Sequence, residues 1–389
     1  MDATTFINEL NATTLKRIYP ARVRDFYFRS SALLAHIRAN GRVMPWNGGL
    51  YEDQPFLYRP LVGGAFTKGQ PFSTVKVETT AANRFDANRK YYTNVTEFLE
   101  DIYIVNRGPA AIVNRVGLDM RAMVNTINEF IAIDMWRHGQ GIAGGTGGST
   151  TTDRSAYING LAEAINDGAT PGWTGEFFQS YGQIDRTSTG PYASGYKPFR
   201  SVPKWCGDQL GNPGRLDYLK LMMGYEDATV GNMEPDLGIC NRAVFAHLMN
   251  TIQPQQRIET VMDYSWGVTG VKFRNAVIVK DEYCPSVRYG ESRSTGSFKP
   301  TSFTTPSSGM DANSGFPSNT TVNPAGTFWF LNTNSFRFLM PDGPYGMAFS
   351  GFQKAFNADI IAGQTLMAGT LICDDPRLNK QFLGILEDD

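Results

Sequence analysis

Residues 109–145 read PAAIVNRVGLDMRAMVNTINEFIAIDMWRHGQGIAGG. Val113, Val116, Met120, Met123, Val124, Ile127, Phe130, Ile131 and Met135 recur three and four positions apart, which places them on one stripe of a helix, and Gly108-Pro109 supplies a start. The spacing predicts a helix over 109–138, a rod of roughly 45 Å at ~1.5 Å per residue. Beyond it Gly139-Gln-Gly141-Ile-Ala-Gly144 fits the glycine fingerprint of a dinucleotide-binding turn. That fingerprint needs a strand before it and a helix after it, so that phosphate sits on a helix N-terminus. Here it follows a helix C-terminus, whose dipole repels phosphate. The glycines read as helix termination followed by a loop, and the long helix reads as a structural spine.

N-terminal to the spine, Val23, Phe26, Tyr27, Leu33, Leu34 and Ile37 recur at helical spacing between Ala21 and Ala39, with Gly41 as a stop. The polar side of this helix is basic through Arg22, Arg24, Arg29 and Arg38. Residues 45–93 change character, with extended, Pro- and Gly-punctuated halves meeting near Gly63-Gly64 and Gly69. They predict a two-stranded arm with too little apolar surface for a core of its own. Val75 and Val77 alternate with polar neighbours as in a half-exposed strand. Such an arm is stabilised by lying on another molecule.

C-terminal to the spine, GLAEAINDG (160–168) reads as a short helix and 214–223 as another. PDLGICNRAVFAHLMNTI (235–252) reads as a buried strand, Leu237–Cys240, an Asn241 N-cap and a helix with Phe245, Leu248, Met249 and Ile252 on one face. FRNAVIVKD (273–281) is a further strand. Ser, Thr, Gly, Pro and Asn dominate 285–325, which predicts a long exposed insertion. Strands return in GTFWFLNT and SFRFLM, and TLMAGTLIC (365–373) reads as one final buried strand.

The 389 residues suffice for two or three subdomains. Lys and Arg (36) nearly cancel Asp and Glu (37), so no overall charge drives the chain onto nucleic acid or membrane. The 40 Gly, 25 Phe and 17 Tyr favour a strand- and loop-rich α+β fold. Cys206, Cys240, Cys284 and Cys373 are scattered and read as reduced thiols. The N-terminus lacks the basic start and apolar run of a signal peptide, and no segment approaches the ~18 apolar residues of a membrane span.

Chemistry-bearing motifs are sparse. GxSxG, HExxH and GxxxxGK[ST] are absent, and His36, His138 and His247 lie far apart on three predicted helices. Asp311-Ala-Asn313-Ser-Gly315 imitates the start of a calcium loop, but Gly315 stands at a ligand position and the distal Glu is missing. No cofactor, metal or catalytic constellation is expected, and the reading is of a non-enzyme. A carboxylate pair of glycosidase type is the one catalytic arrangement that scattered Asp and Glu leave open.

A basic N-terminal arm, a long two-stranded extension, a spine helix with a glycine break and a following mixed domain together resemble the major capsid protein of tailed bacteriophages, the Hong Kong 97-type fold. The resemblance covers nearly the whole chain. It is most distinct in LKRIYPARVRDFYFRSSALLAHI (15–37), GLAEAINDGA with YGQIDR (160–186), PDLGICNRAVFAHLMNTIQPQQR (235–257) and TLMAGTLICDDPRLNKQFLGI (365–385). It implies an N-terminal arm (1–44), an E-loop (45–93) and a peripheral domain (94–205) with the spine helix. An axial domain (206–324) with its exposed insertion follows, then return strands of the peripheral domain (325–360) and a C-terminal part of the axial domain (361–389).

On this resemblance the function is self-assembly as hexamers and pentamers into an icosahedral shell around double-stranded DNA, in a virion put together in the host cytoplasm. Gly63, Gly64, Lys68 and Gly69 would form the E-loop tip that touches a neighbouring subunit. Lys68 takes the position at which some members crosslink, against its reading as an ordinary solvated lysine. Arg22, Arg24 and Arg29 would face packaged DNA or a neighbour's carboxylates. A separate scaffolding protein, a portal and a decoration protein are the further partners it allows, with no membrane. Two other readings stay open: an encapsulin-like compartment shell, and a carbohydrate-binding or carbohydrate-processing β-rich protein.

Overall fold

The computed structural model describes residues 31–46, 48–49, 51–57, 61–72, 80–86, 89–98, 100, 115–139, 157–186, 199–252, 260–261, 270–286, 292–293, 296–297, 303–304, 315–317, 320–323, 325–342, 345–354 and 359–387. A seven-stranded sheet organises them. Its order is β7 (Lys204–Trp205), β21 (Lys380–Ile385), β16 (Gly326–Leu331), β8 (Leu237–Cys240), β11 (Ala276–Lys280), β10 (Gly270–Phe273) and β9 (Thr260–Val261). β8 and β11 run parallel and β16 is antiparallel to both of its neighbours.

Strands β8, β16 and β21 are buried along their whole length, because the sheet is covered on both faces. Side chains alternate between those faces. Phe328, Phe330, Cys240 and Phe382 meet the helices α4 (Tyr218–Ala228) and α5 (Arg242–Ile252), through Leu221, Tyr225, Val244 and Leu248. Trp329, Leu331, Leu237, Ile239 and Leu383 turn the other way into the main core. α4 lies so close to β21 that a Cβ at Gly224 would fall 1.9 Å from the Phe382 ring.

The spine, α2 (Arg115–Asp134), packs on a second sheet of order β18 (Gly346–Lys354), β19 (Ile360–Ala368) and β4 (Lys90–Phe98). A third sheet sets β1 (Val43–Trp46) parallel to β17 (Phe336–Pro341), with β20 (Thr370–Cys373) antiparallel on its other side. α1 (Ala32–Ala39) leans on it and starts at the Ser31 N-cap, whose hydroxyl accepts from the Leu34 N–H. The buried carboxylate of Asp281, at the end of β11, accepts from Ser31 Oγ and the Leu33 N–H, so it sits on the positive end of α1. β2 (Tyr51–Leu57) and β3 (Thr80–Asp86) form a separate antiparallel hairpin. α3 (Leu161–Ala164) is a single turn beside the small hairpin β5 (Ser180–Tyr181) and β6 (Ile184–Asp185). Two further short pairs, β12 (Ser292–Arg293) with β13 (Gly296–Ser297) and β14 (Phe303–Thr304) with β15 (Thr321–Val322), complete the description.

The mixed α+β architecture matches the sequence reading, and several boundaries move. The spine stops at Asp134, four residues before His138, because the Leu161 N–H takes the carbonyl of Met135 and Gly139 is pressed against the backbone of Ile158. The predicted strand 365–373 is two strands in two sheets, divided at Gly369, where a Cβ would meet the Leu339 carbonyl at 2.5 Å. Pairing distributes 325–385 over three sheets: β16 and β21 belong to the seven-stranded sheet, β17 and β20 to the third, and β18 and β19 to the sheet under the spine. The arm also shortens at both ends, since β1 pairs with β17 and β4 with β19. The insertion is not exposed throughout: Phe316 packs on Trp205, and Val322 is fully buried. Residues 21–30, 73–79, 109–114, 140–156 and 311–314, on which other expectations fall, lie outside the described residues.

Gly224→Ala is expected to destabilise the chain by about 1–3 kcal/mol, despite the better helix propensity of alanine, because overpacking against Phe382 outweighs it. A urea titration followed by circular dichroism measures the change.

Candidate assembly surface

The hairpin β2–β3 has two faces set by its register. Asp53 stands directly opposite Arg84 on the outer face, and the guanidinium donates to both carboxylate oxygens at 2.7 Å while lying over the Tyr51 ring. The bond to Arg84 holds the Asp53 carboxyl below its ordinary range. On the inner face Glu52 opposes Phe85, Gln54 opposes Asn83, and Phe56 opposes Ala81. Phe85 is buried edge-on against Tyr181 at 4.9 Å, and Phe56 stacks on Phe199 at 5.0 Å. The Arg84 N–H donates to the Gly182 carbonyl at 2.8 Å. Gly182 has φ +56°, and any side chain there would collide with Phe85 and Asn83.

Past this root the described residues of the arm face solvent. Every residue from Leu61 to Phe72 is exposed, including Leu61, Val62, Phe66 and Phe72. Phe66 and Phe72 meet edge to face at 5.0 Å, and the chain reverses between Thr67 and Gln70 through the Gln70 N–H to Thr67 carbonyl bond. Lys68 and Gly69 form that turn, Gly69 with φ +88°. Gly63, Gly64, Lys68 and Gly69 are all exposed, Lys68 and Gly69 within that turn. Arg22, Arg24 and Arg29 lie outside the described residues.

The root rests on a buried polar layer that sequence reasoning missed. Arg186 donates to the carbonyls of Glu163, Ala164 and Asn166, which are the orphan acceptors at the end of α3. Its guanidinium lies over the Tyr181 ring, and burial lowers its pKa to about 10. Arg337, also missed, joins Asp374 to Glu52 and Gln54. The nearest sequence signal for the first is YGQIDR, which the resemblance marked without giving Arg186 a role. Arg337 and its partners on β2 are more than 280 residues apart.

An open groove of about 670 Å³ runs between β4 and α2, lined by Tyr91, Met123, Phe130 and Tyr157 together with Asp119 and Asp134. The three histidines stay apart: His36 bonds Thr333, His138 pairs with Glu176 at 2.9 Å, and His247 is buried on α5. No group of three His, Cys, Asp or Glu among the described residues could hold a metal ion, and no described helix is long and apolar enough to cross a membrane. All four cysteines are free and buried, and burial pushes the Cys206 thiol up to about 12 and raises the other three as well.

Comparison with solved structures decides the fold. The chain aligns over 95% of its length with 97% of a chain in the cyanophage A-1(L) capsid asymmetric unit, with a TM-score of 0.61 at 12% identity. The chain has the Hong Kong 97-type fold. A capsid chain of the native GTA particle gives a TM-score of 0.55 at 8% identity, covering 96% of each chain. The mature capsid of bacteriophage PhiM1 gives 0.51 at 10% identity, over 95% of this chain and 91% of the other. No protein-family model and no curated protein sequence matches the chain.

Two substitutions on adjacent β3 residues separate the inner face from the outer. Phe85→Ala is expected to destabilise the chain by about 3 kcal/mol as a cavity opens beside Tyr181. Arg84→Ala, which removes a solvent-screened pair, should leave the thermal midpoint within error. In the folded chain at pH 8 all four thiols should resist Ellman's reagent, and all four should react in guanidinium.

Proposed function

We propose that this chain is the repeating subunit of a closed shell, the major capsid protein of a tailed bacteriophage, which assembles as hexamers and pentamers around double-stranded DNA. The observation that carries the reading is the β2–β3 arm: a hairpin with a well-anchored root and a wholly exposed tip bearing Leu61, Val62, Phe66 and Phe72. A two-stranded ribbon is marginal in water, and contiguous exposed apolar side chains mark an interaction surface. The likeness in fold to capsid chains agrees with this.

In this reading the arm is the E-loop, and Gly63, Gly64, Lys68 and Gly69 contact a neighbouring subunit. The groove between β4 and α2 has the chemistry to receive it in a second copy, with aromatic walls for Phe66 and Phe72 and carboxylates for Lys68. Tip and groove are different surfaces of one chain, so the contact is heterologous and closes into rings. Arg22, Arg24 and Arg29 would serve DNA phosphates or a neighbour's carboxylates. Assembly with a separate scaffolding protein, and contact with a portal and a decoration protein, belong to the same proposal. The reading requires no catalytic centre and no cofactor.

The chain expressed alone and with a candidate scaffold is expected to yield closed shells, tubes or rings of five or six by negative-stain electron microscopy and light scattering. Deletion of residues 63–69 should leave the circular dichroism spectrum intact and abolish stable shells. A persistent folded monomer under both expression conditions overturns the shell reading, and normal shells from the deletion overturn the E-loop assignment.

A further inference from the structure

Besides the backbone bond from the Arg84 N–H to the Gly182 carbonyl, the body grips the root of the arm through side chains in two chemically different ways. One is aromatic: Phe85 against Tyr181 and Phe56 on Phe199. Such contacts hold two surfaces together but constrain direction weakly, because apolar burial is non-directional. The other is a single guanidinium. Arg337 Nε donates to Asp374 Oδ2 at 2.9 Å, and Nη2 donates to Asp374 Oδ1 at 2.8 Å and to Gln54 Oε1 at 2.9 Å; Nη1 lies 3.6 Å from Glu52 Oε1. These partners outweigh the effect of burial, which alone would lower the arginine pKa, and raise it.

The fork geometry gives this contact a direction. Asp374 takes two donors and fixes the plane of the guanidinium, so the remaining donors point along set lines. Glu52 and Gln54 are two residues apart on one face of β2, and two points on a strand define its axis. The backbone that carries Arg337 is held on both sides, because β17 is paired with β1 and with β20. Glu52 opposes Phe85 in the register, so the polar and aromatic grips share that rung of the hairpin.

We propose that Arg337 is a positioning residue that fixes the direction in which the arm leaves the subunit. Without it the arm stays docked through its aromatic rings and the Arg84 N–H to Gly182 carbonyl bond, and pivots about them. At about 3.3 Å per residue the tip extends up to roughly 50 Å beyond Gln54, so a rotation of about 10° carries Lys68 roughly 9 Å. On the shell reading above, on which this consequence rests, that displacement takes the tip off its neighbour.

The test is a distance measurement by double electron–electron resonance on the unassembled full-length chain. Nitroxides are placed at Lys68→Cys and Leu219→Cys, two exposed positions, and the four native cysteines are buried and stay unlabelled. The chain with Arg337 should give one narrow distance distribution. Arg337→Met should widen it by about twofold or more as the directional bond is lost. Glu52→Ala with Gln54→Ala should do the same, although it leaves Arg337 bonded to Asp374. An unchanged width in either folded variant overturns the proposal. If Arg337→Met does not fold, the Glu52/Gln54 pair decides alone. Since the distances are read before assembly, failure of this proposal is a separate result from a chain that forms no particles.

Discussion

The contact between Trp136 and Trp329 is the constraint on which the rest of the molecule depends. Both indoles are fully buried, with ring centroids 5.6 Å apart. Trp136 follows the end of the spine, and Trp329 stands in the middle of the seven-stranded sheet, so one contact ties the two halves of the chain into a single core. Each such ring buries on the order of 150–250 Å². To bring Trp136 there, α2 must end at Asp134 and the chain must turn at once. The turn is crowded: Trp173 donates to the Trp136 carbonyl, and a Cβ at Gly160 would fall 2.1 Å from the Arg137 carbonyl. Gly139, the glycine after the helix, is a packing requirement too, since a Cβ there would fall 2.6 Å from the Ile158 carbonyl.

A core continuous across both halves divides the molecule by self-sufficiency. The body buries both faces of its main sheet and the inner side of the spine, and its large aromatic residues interlock within it. The arm has only its root in that core. Its described outer residues, 61–72, carry phenylalanines into solvent, the mark of an interaction surface.

What the sequence made legible was local. Leu237–Cys240 is a strand within the predicted bounds, and Asn241 caps the following helix, its Oδ1 accepting from the Val244 N–H at 2.7 Å. These features are written in an apolar run and the cap next to it. The arm was visible for the opposite reason, an extended stretch with too little apolar surface. The two-sheet course of 360–373 was hidden because Gly369 interrupts the apolar run without changing its composition. The depth of Phe316 and Val322 was hidden because Ser, Thr and Gly around them dominate the average. Arg337, Asp281 and Arg186 act on partners far along the chain, and no spacing rule connects Ser31 to Asp281 or Gln54 to Arg337.

The two grips on the arm converge on one short stretch. Tyr181, which holds Phe85, accepts a hydrogen bond from the Cys373 N–H at 2.8 Å through its phenolic oxygen; the next residue, Asp374, holds Arg337. The end of β20 therefore anchors the aromatic grip by its backbone and the polar grip by its side chain. Tyr181 is fixed from beneath by Arg186, which is itself fixed by the carbonyls at the end of α3. A buried guanidinium is tolerable there because those carbonyls replace the water it loses. Force applied at the tip of the arm thus passes through β2 and β3 to residues 373 and 374, where it meets a strand paired to the rigid middle of the third sheet. In the proposed shell the arm bears on a neighbour and needs such a footing, and the buried polar groups beneath it supply direction where apolar packing would supply only adhesion.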